Sequence, residues 1–143
     1  MTTPAEFAES RFKQNFSCSQ AVFSAFASQF GIPDETALKL ASPFGGGIAR
    51  QGHVCGAVTG ALMVIGLKHG ATTPTGKEET YKVVLEFLHR FQEKHGSVLC
   101  RELIDCDMST PEGWQIAKDK NVFAEICLNL VRDAVEITQP LIK

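Results

Sequence analysis

Ser17-Cys18-Ser19-Gln20, running on through Ala21-Val22-Phe23-Ser24-Ala25-Phe26 to Phe30 and Gly31, is the stretch that decides the fold. Ser17 and Gln20 have the spacing of a capping box, in which each side chain satisfies a backbone N–H that the helix start leaves free. Cys18, Val22, Ala25, Phe26 and Gln29 then fall on one helical stripe, and Gly31 supplies the stop. The same grammar extends in both directions. Thr3-Pro4-Ala5-Glu6 caps a helix expected to reach about Lys13, with Pro at its first position. Pro33-Asp34 opens a short helix to about Ala41, which Pro43 breaks, and Phe44 to Gly52 form a Gly-rich loop. A helix is expected from about His53 to His69, ended by Gly70. Gly52, Gly56 and Gly60 repeat on it every four residues and leave a smooth groove.

Thr75-Gly76-Lys77-Glu78 reads as a third capping box. It starts the longest periodic run, with Tyr81, Val84, Leu85, Leu88 and Phe91 as core candidates, closed by Gly96. A short helix from Val98 to about Ile104 follows, and Thr110-Pro111 begins a further turn or two around Trp114, the single tryptophan. The last helix, about Val122 to Thr138, is expected to bury Phe123, Cys127, Leu130, Val131 and Ala134 and to end before Pro140. Period-2 alternation is nowhere sustained. The reading is an all-α single domain over residues 1–143, a bundle of about six to seven mostly antiparallel helices with a Gly-rich loop before the central one.

Composition narrows the function classes. The formal net charge is −2 and no basic block exists, which argues against nucleic acid as the partner. The longest apolar stretch, Val54 to Leu67, is cut by glycines and too short for a membrane span. The N-terminus lacks the basic and apolar regions of a signal peptide, so the expected location is cytoplasmic, where free thiols are the resting state.

Five cysteines stand out against this background. Cys18, Cys55 and Cys100 each fall where a helix should begin. Partial positive charge and free N–H groups there favour thiolate over thiol. Cys127 reads as core from its spacing. Cys106 lies beside Asp105 and Asp107, whose charges raise a thiol pKa. No pair has CxxC spacing, which disfavours a compact zinc ribbon or finger. Dispersed cysteines can still meet if several helix starts converge, and such a cluster could hold a disulfide couple, a metal ion or an iron–sulfur cluster. Arg50 and His53 lie near Cys55 in sequence and read as solvated or capping groups. His69, His89 and His95 read as surface or helix-end groups rather than ligands. Phe44-Gly45-Gly46-Gly47-Ile48-Ala49-Arg50 lacks the P-loop pattern and follows no strand. Its glycines are read as letting Cys55 sit close to other elements.

Asn15-Phe16-Ser17-Cys18-Ser19-Gln20-Ala21-Val22, Phe44-Gly45-Gly46-Gly47, Val54-Cys55-Gly56-Ala57-Val58-Thr59-Gly60-Ala61 and Cys100-Arg101-Glu102-Leu103 together resemble the C_GCAxxG_C_C family, described as small redox-active proteins defined by four cysteines. Cys127 with Val131-Arg132-Asp133-Ala134 resembles that family's C-terminal segment. The resemblance implies that Cys18, Cys55, Cys100 and Cys127 are the family cysteines and Cys106 the extra one. It names no reaction, cofactor or partner.

Three functions are therefore weighed. The first is a cytoplasmic thiol redox protein in which Cys18 or Cys55 attacks and another of the four resolves, serving a partner protein or a small thiol. The second is an electron carrier with an all-cysteine metal or iron–sulfur site at Cys18, Cys55, Cys100 and Cys127. The third is a non-catalytic module forming a homodimer through the Gly52/Gly56/Gly60 face.

Overall fold

A computed structural model describes residues 2–143 and is all-α. Among the described residues there are eight α-helices, more than the six to seven expected: α1 (Pro4–Lys13), α2 (Cys18–Ala27), α3 (Asp34–Ala41), α4 (Gly56–His69), α5 (Lys77–His95), α6 (Cys100–Ile104), α7 (Pro111–Asp119) and α8 (Leu128–Leu141). The additional helix is α7. Thr110 accepts from the Gly113 N–H, and Pro111 sits at the first position, so the expected turn or two becomes a capped nine-residue helix.

α2 is the centre of the bundle. The Ser17 capping box forms, with Gln20 returning its side-chain oxygen to the Ser17 N–H at 3.0 Å. Ser19, Ala21, Val22, Phe23, Ser24, Phe26 and Ala27 are all buried, because α1, α3, α4 and α8 each pack on it. Ala25 is only half-buried and Gln29 is exposed, so the buried surface is wider than the single stripe expected. The last turn tightens to a 3-10 segment, Ser28–Phe30, ended by Gly31 in the left-handed region. The fully buried Ser19 hydroxyl donates to the Ala41 carbonyl at 2.8 Å and so ties α2 to the end of α3.

α4 begins at Gly56 rather than His53. Residues 53–55 are extended instead and make an isolated antiparallel bridge with 98–100, centred on Val54 and Leu99. Gly52 therefore lies outside the helix, against the Arg101 side chain of α6, and on α4 itself Gly56 and Gly60 face a neighbouring helix. That neighbour is α2 of the same chain: a Cβ on Gly60 would lie 2.8 Å from the Ser19 carbonyl oxygen, and one on Gly56 would lie 3.0 Å from the Ser19 nitrogen. The glycine face is covered from within, so it offers no surface for a homodimer.

α5 is also turned from its expected register. Phe87 and Phe91 are the buried residues, whereas Tyr81 is 53% exposed and Leu85 63%. The cap is Gly76, with no side-chain bond from Thr75. His95, expected at the surface, is largely buried. It packs on Phe91 and has its Nε2 3.0 Å from the buried Asp133 carboxylate. Pro140 lies inside the last turn of α8, which continues to Leu141, because a proline there removes a single late hydrogen bond. No helix of the described residues is long and apolar enough to cross a membrane.

The glycine seam makes a test with a reversed sign. In an exposed helix, Gly→Ala usually gains about 1 kcal/mol. Gly60→Ala should instead destabilise the protein by about 1–3 kcal/mol through overpacking, read as a lower urea midpoint with an unchanged slope.

Candidate functional site

The close approach of α2 to α4 sets Cys18, the first residue of α2, against the start of α4: a Cβ on Gly56 would lie 3.3 Å from the Cys18 Cβ. Cys55 caps the start of α4 and Cys100 is the first residue of α6. The short bridge holds these two elements together. The Cys55 N–H donates to the Val98 carbonyl and the Cys100 N–H to the His53 carbonyl, both at 2.7 Å. Cys127 arrives from the far end of the chain, at the end of a π-helical segment, Phe123–Cys127, that leads into α8. Such wide turns recur at functional sites and leave no propensity signal in a sequence. Cys18, Cys55, Cys100 and Cys127 all line one cavity of about 600 Å³.

The cavity lies where two apolar clusters meet without merging. Cys55 belongs to the main core. Cys100 and Cys127 belong to a smaller cluster with Ile104, Met108, Ala117 and Val122, and Cys18 packs against both. Cys106 packs at the edge of the smaller cluster and is not among the residues that line the cavity.

The Gly-rich loop closes one side. Gly46, Gly47, Ile48, Ala49 and Arg50 all have positive φ, a left-handed turn in which three non-glycine residues sit in a disfavoured region. Two glycines there are required by contact as well as by dihedral. A Cβ on Gly47 would lie 2.7 Å from the Cys100 Cβ, and one on Gly46 would lie 2.8 Å from the Arg50 Cα. The loop thus serves close approach, as its glycines suggested, but the cysteine it approaches is Cys100. Arg50 lines the cavity with its guanidinium 3.9 Å from the centre of the Trp114 ring, a contact no sequence signal gave.

Three of the four thiols are raised despite their helix-start positions, and at two of them the chief cause is burial. It pushes Cys55 up to about 11, against the opposing N–H groups of Ala57 and Val58, and Cys100 up to about 12. Cys18 is raised well above the ordinary thiol value, first because its S–H is held by Cys127 and then by burial. Cys127 alone is lowered: the hydrogen bond from Cys18 stabilises its thiolate, aided by its own backbone N–H, against the cost of burial. Cys127 is buried, as its spacing predicts, and is the one thiol of the four held below the ordinary value. Cys106 is raised by burial, with Lys120 opposing and Asp105 and Asp107 adding smaller contributions.

All five cysteines are free. Thiolate donors suit a soft metal or an iron–sulfur cluster in chemistry. Among the described residues, however, no group of three or more His, Cys, Asp or Glu is placed to hold a metal ion.

A family model described as "Putative redox-active protein (C_GCAxxG_C_C)" matches residues 16–141. No curated protein and no solved structure matches the chain.

The raised thiols make stability depend on alkaline pH. Between the ordinary value of about 9 and about 11, the folded protein keeps the Cys55 proton that the unfolded chain has lost. This stabilisation is complete below the lower value and is lost as pH rises through the upper one, about 2–3 kcal/mol in all. Urea unfolding between about pH 8 and pH 11 should show the decline, and Cys55→Ala should flatten its share of it.

Proposed function

This chain belongs to the C_GCAxxG_C_C family, and from that membership we propose that it is a thiol–disulfide redox protein in which Cys127 attacks and Cys18 resolves. The observation that supports this reading is that Cys18 and Cys127 line one cavity and shift each other in opposite directions, the Cys18 thiol upward and the Cys127 thiol downward. It moves the attacking role from the helix-start cysteines to the residue that spacing alone placed in the core.

The Cys127 thiolate attacks one sulfur of a substrate disulfide, the substrate S–S bond breaks, and the far half leaves as a thiolate that takes up a proton from solvent. Cys127 is then joined to the near half. Cys18 gives up its proton, attacks the Cys127 sulfur and expels the second half as a thiol. One substrate disulfide is reduced to two thiols, and two protein thiols are oxidised to one disulfide. With an oxidised protein and a dithiol substrate the same steps run in reverse. Cys55 and Cys100 stay protonated near neutrality, which restricts early attack to Cys127.

Thiol counting before and after a mild disulfide oxidant, followed by peptide mapping, tests the proposal. The expected product is a Cys18–Cys127 disulfide with Cys55 and Cys100 still free. In Cys18→Ala, which removes the hydrogen bond, alkylation of Cys127 by iodoacetamide at neutral pH should slow about tenfold or more. No loss of paired thiols in the folded protein defeats the reading. Stoichiometric iron or zinc after anaerobic purification would put a metal site in its place.

A further inference from the structure

The sulfur cavity carries one formal charge of its own. Apart from the cysteines, its lining is apolar rings and chains, backbone and neutral polar groups, and Arg50 is its single charged residue. No Asp or Glu lines it, in a chain whose formal net charge is −2. Arg50 makes no ion pair among the described residues. Its guanidinium lies over the Trp114 face at 3.9 Å, with the Lys118 ammonium 5.2 Å from the same ring. Stacking fixes the plane of a guanidinium while leaving its edge N–H donors free for a planar anion. The left-handed turn pins the backbone beneath it, since the Arg50 N–H donates to the Gly45 carbonyl at 3.0 Å and Gly46 packs directly on its Cα.

Three of the four cysteines are recessed, Cys55 at 3% exposure, Cys127 at 5% and Cys100 at 7%, and Cys18 is half-buried. A disulfide on a folded partner's surface would have to enter the cavity to reach them, whereas about 600 Å³ lies within the range of small-molecule pockets. Phe12 and Met108 supply apolar wall for an alkyl chain beside the sulfurs.

From this geometry we propose that the substrate of the cavity is a low-molecular-weight disulfide or thiol bearing a carboxylate, which Arg50 binds on its Trp114 platform while the sulfur end reaches Cys18 and Cys127. The proposal rests on the thiol–disulfide reading for its chemistry and adds the class of ligand. The steps are those given above, with the two halves of the small disulfide leaving as two carboxylate-bearing thiols. Renewed turnover draws on a dithiol reductant.

Two measurements keep the ligand class and the chemistry apart. Calorimetric titration with thiodipropionate, a thioether dicarboxylate that cannot exchange, reads binding alone. Saturable binding is expected in the wild-type protein, about five- to tenfold weaker in Arg50→Gln and only partly restored in Arg50→Lys, which keeps the charge and loses the planar fork. As Trp114 is the single tryptophan, its emission should change over the same titration. The second measurement is the rate of oxidation by dithiodipropionate, neutral hydroxyethyl disulfide and cationic cystamine, each normalised to its rate with a free small thiol. Arg50→Gln should lose about five- to tenfold with the dianion and nothing with the neutral disulfide. Absence of thiodipropionate binding, or an equal loss with both disulfides, overturns the proposal while leaving the thiol chemistry standing. Binding without oxidation by any disulfide defeats the redox reading and leaves the anion site.

Discussion

Everything at the sulfur site depends on how closely α2 lies against α4. The seam has no room for a Cβ on Gly56 or Gly60, so the backbone of one helix rests on the backbone of the other at Ser19. With ordinary side chains there the axes would move apart, and Cys18 would leave the start of α4. The capping box at Ser17 and the bond from Ser19 to the Ala41 carbonyl fix the same end of α2 against α3. One cysteine is thus located by packing, two by the bridge at 53–55 and 98–100, and the fourth by the π-helical turn before α8.

Two effects compete at each of these sulfurs. Free N–H groups at a helix start favour the thiolate, and loss of water favours the thiol. At Cys55 both are visible: the N–H groups of Ala57 and Val58 pull down, and burial wins. At Cys127 burial meets a stronger opponent, because a neighbouring S–H points its proton at the sulfur. The balance at that sulfur falls on the side of the thiolate, and Cys127 is held below the ordinary thiol value while the other three are held above it.

The helices were legible in the sequence wherever a cap or stop had its own chemistry. Thr3-Pro4, Ser17 with Gln20, Gly31, Gly96 and Thr110-Pro111 all act where they were read. The register of α5 was less so, because apolar residues occupy more than one face and only packing decides that Phe87 goes inside while Tyr81 and Leu85 stay out. The start of α4 was misplaced because a two-strand bridge is a long-range pairing with no local mark. The burial of Cys127 was legible from its spacing, and the four cysteines that the family motifs single out line one cavity. The role of Arg50 was not legible, since stacking on Trp114 joins residues on different elements that only the fold brings together.

Cys18 and Cys127, which line the same cavity, stand near opposite ends of the chain. A covalent link between them would close a loop on the order of 100 residues, which on chain-entropy grounds restricts the unfolded ensemble by about 4–5 kcal/mol. By the thermodynamic cycle, what such a link lends to folding, folding returns to the link. That energy corresponds to about 100 mV in the reduction potential of the couple. A disulfide drawn from opposite ends of the polypeptide would thereby be biased toward the oxidised form, its reduced pair a strong electron donor, with tertiary structure as the source of its driving force.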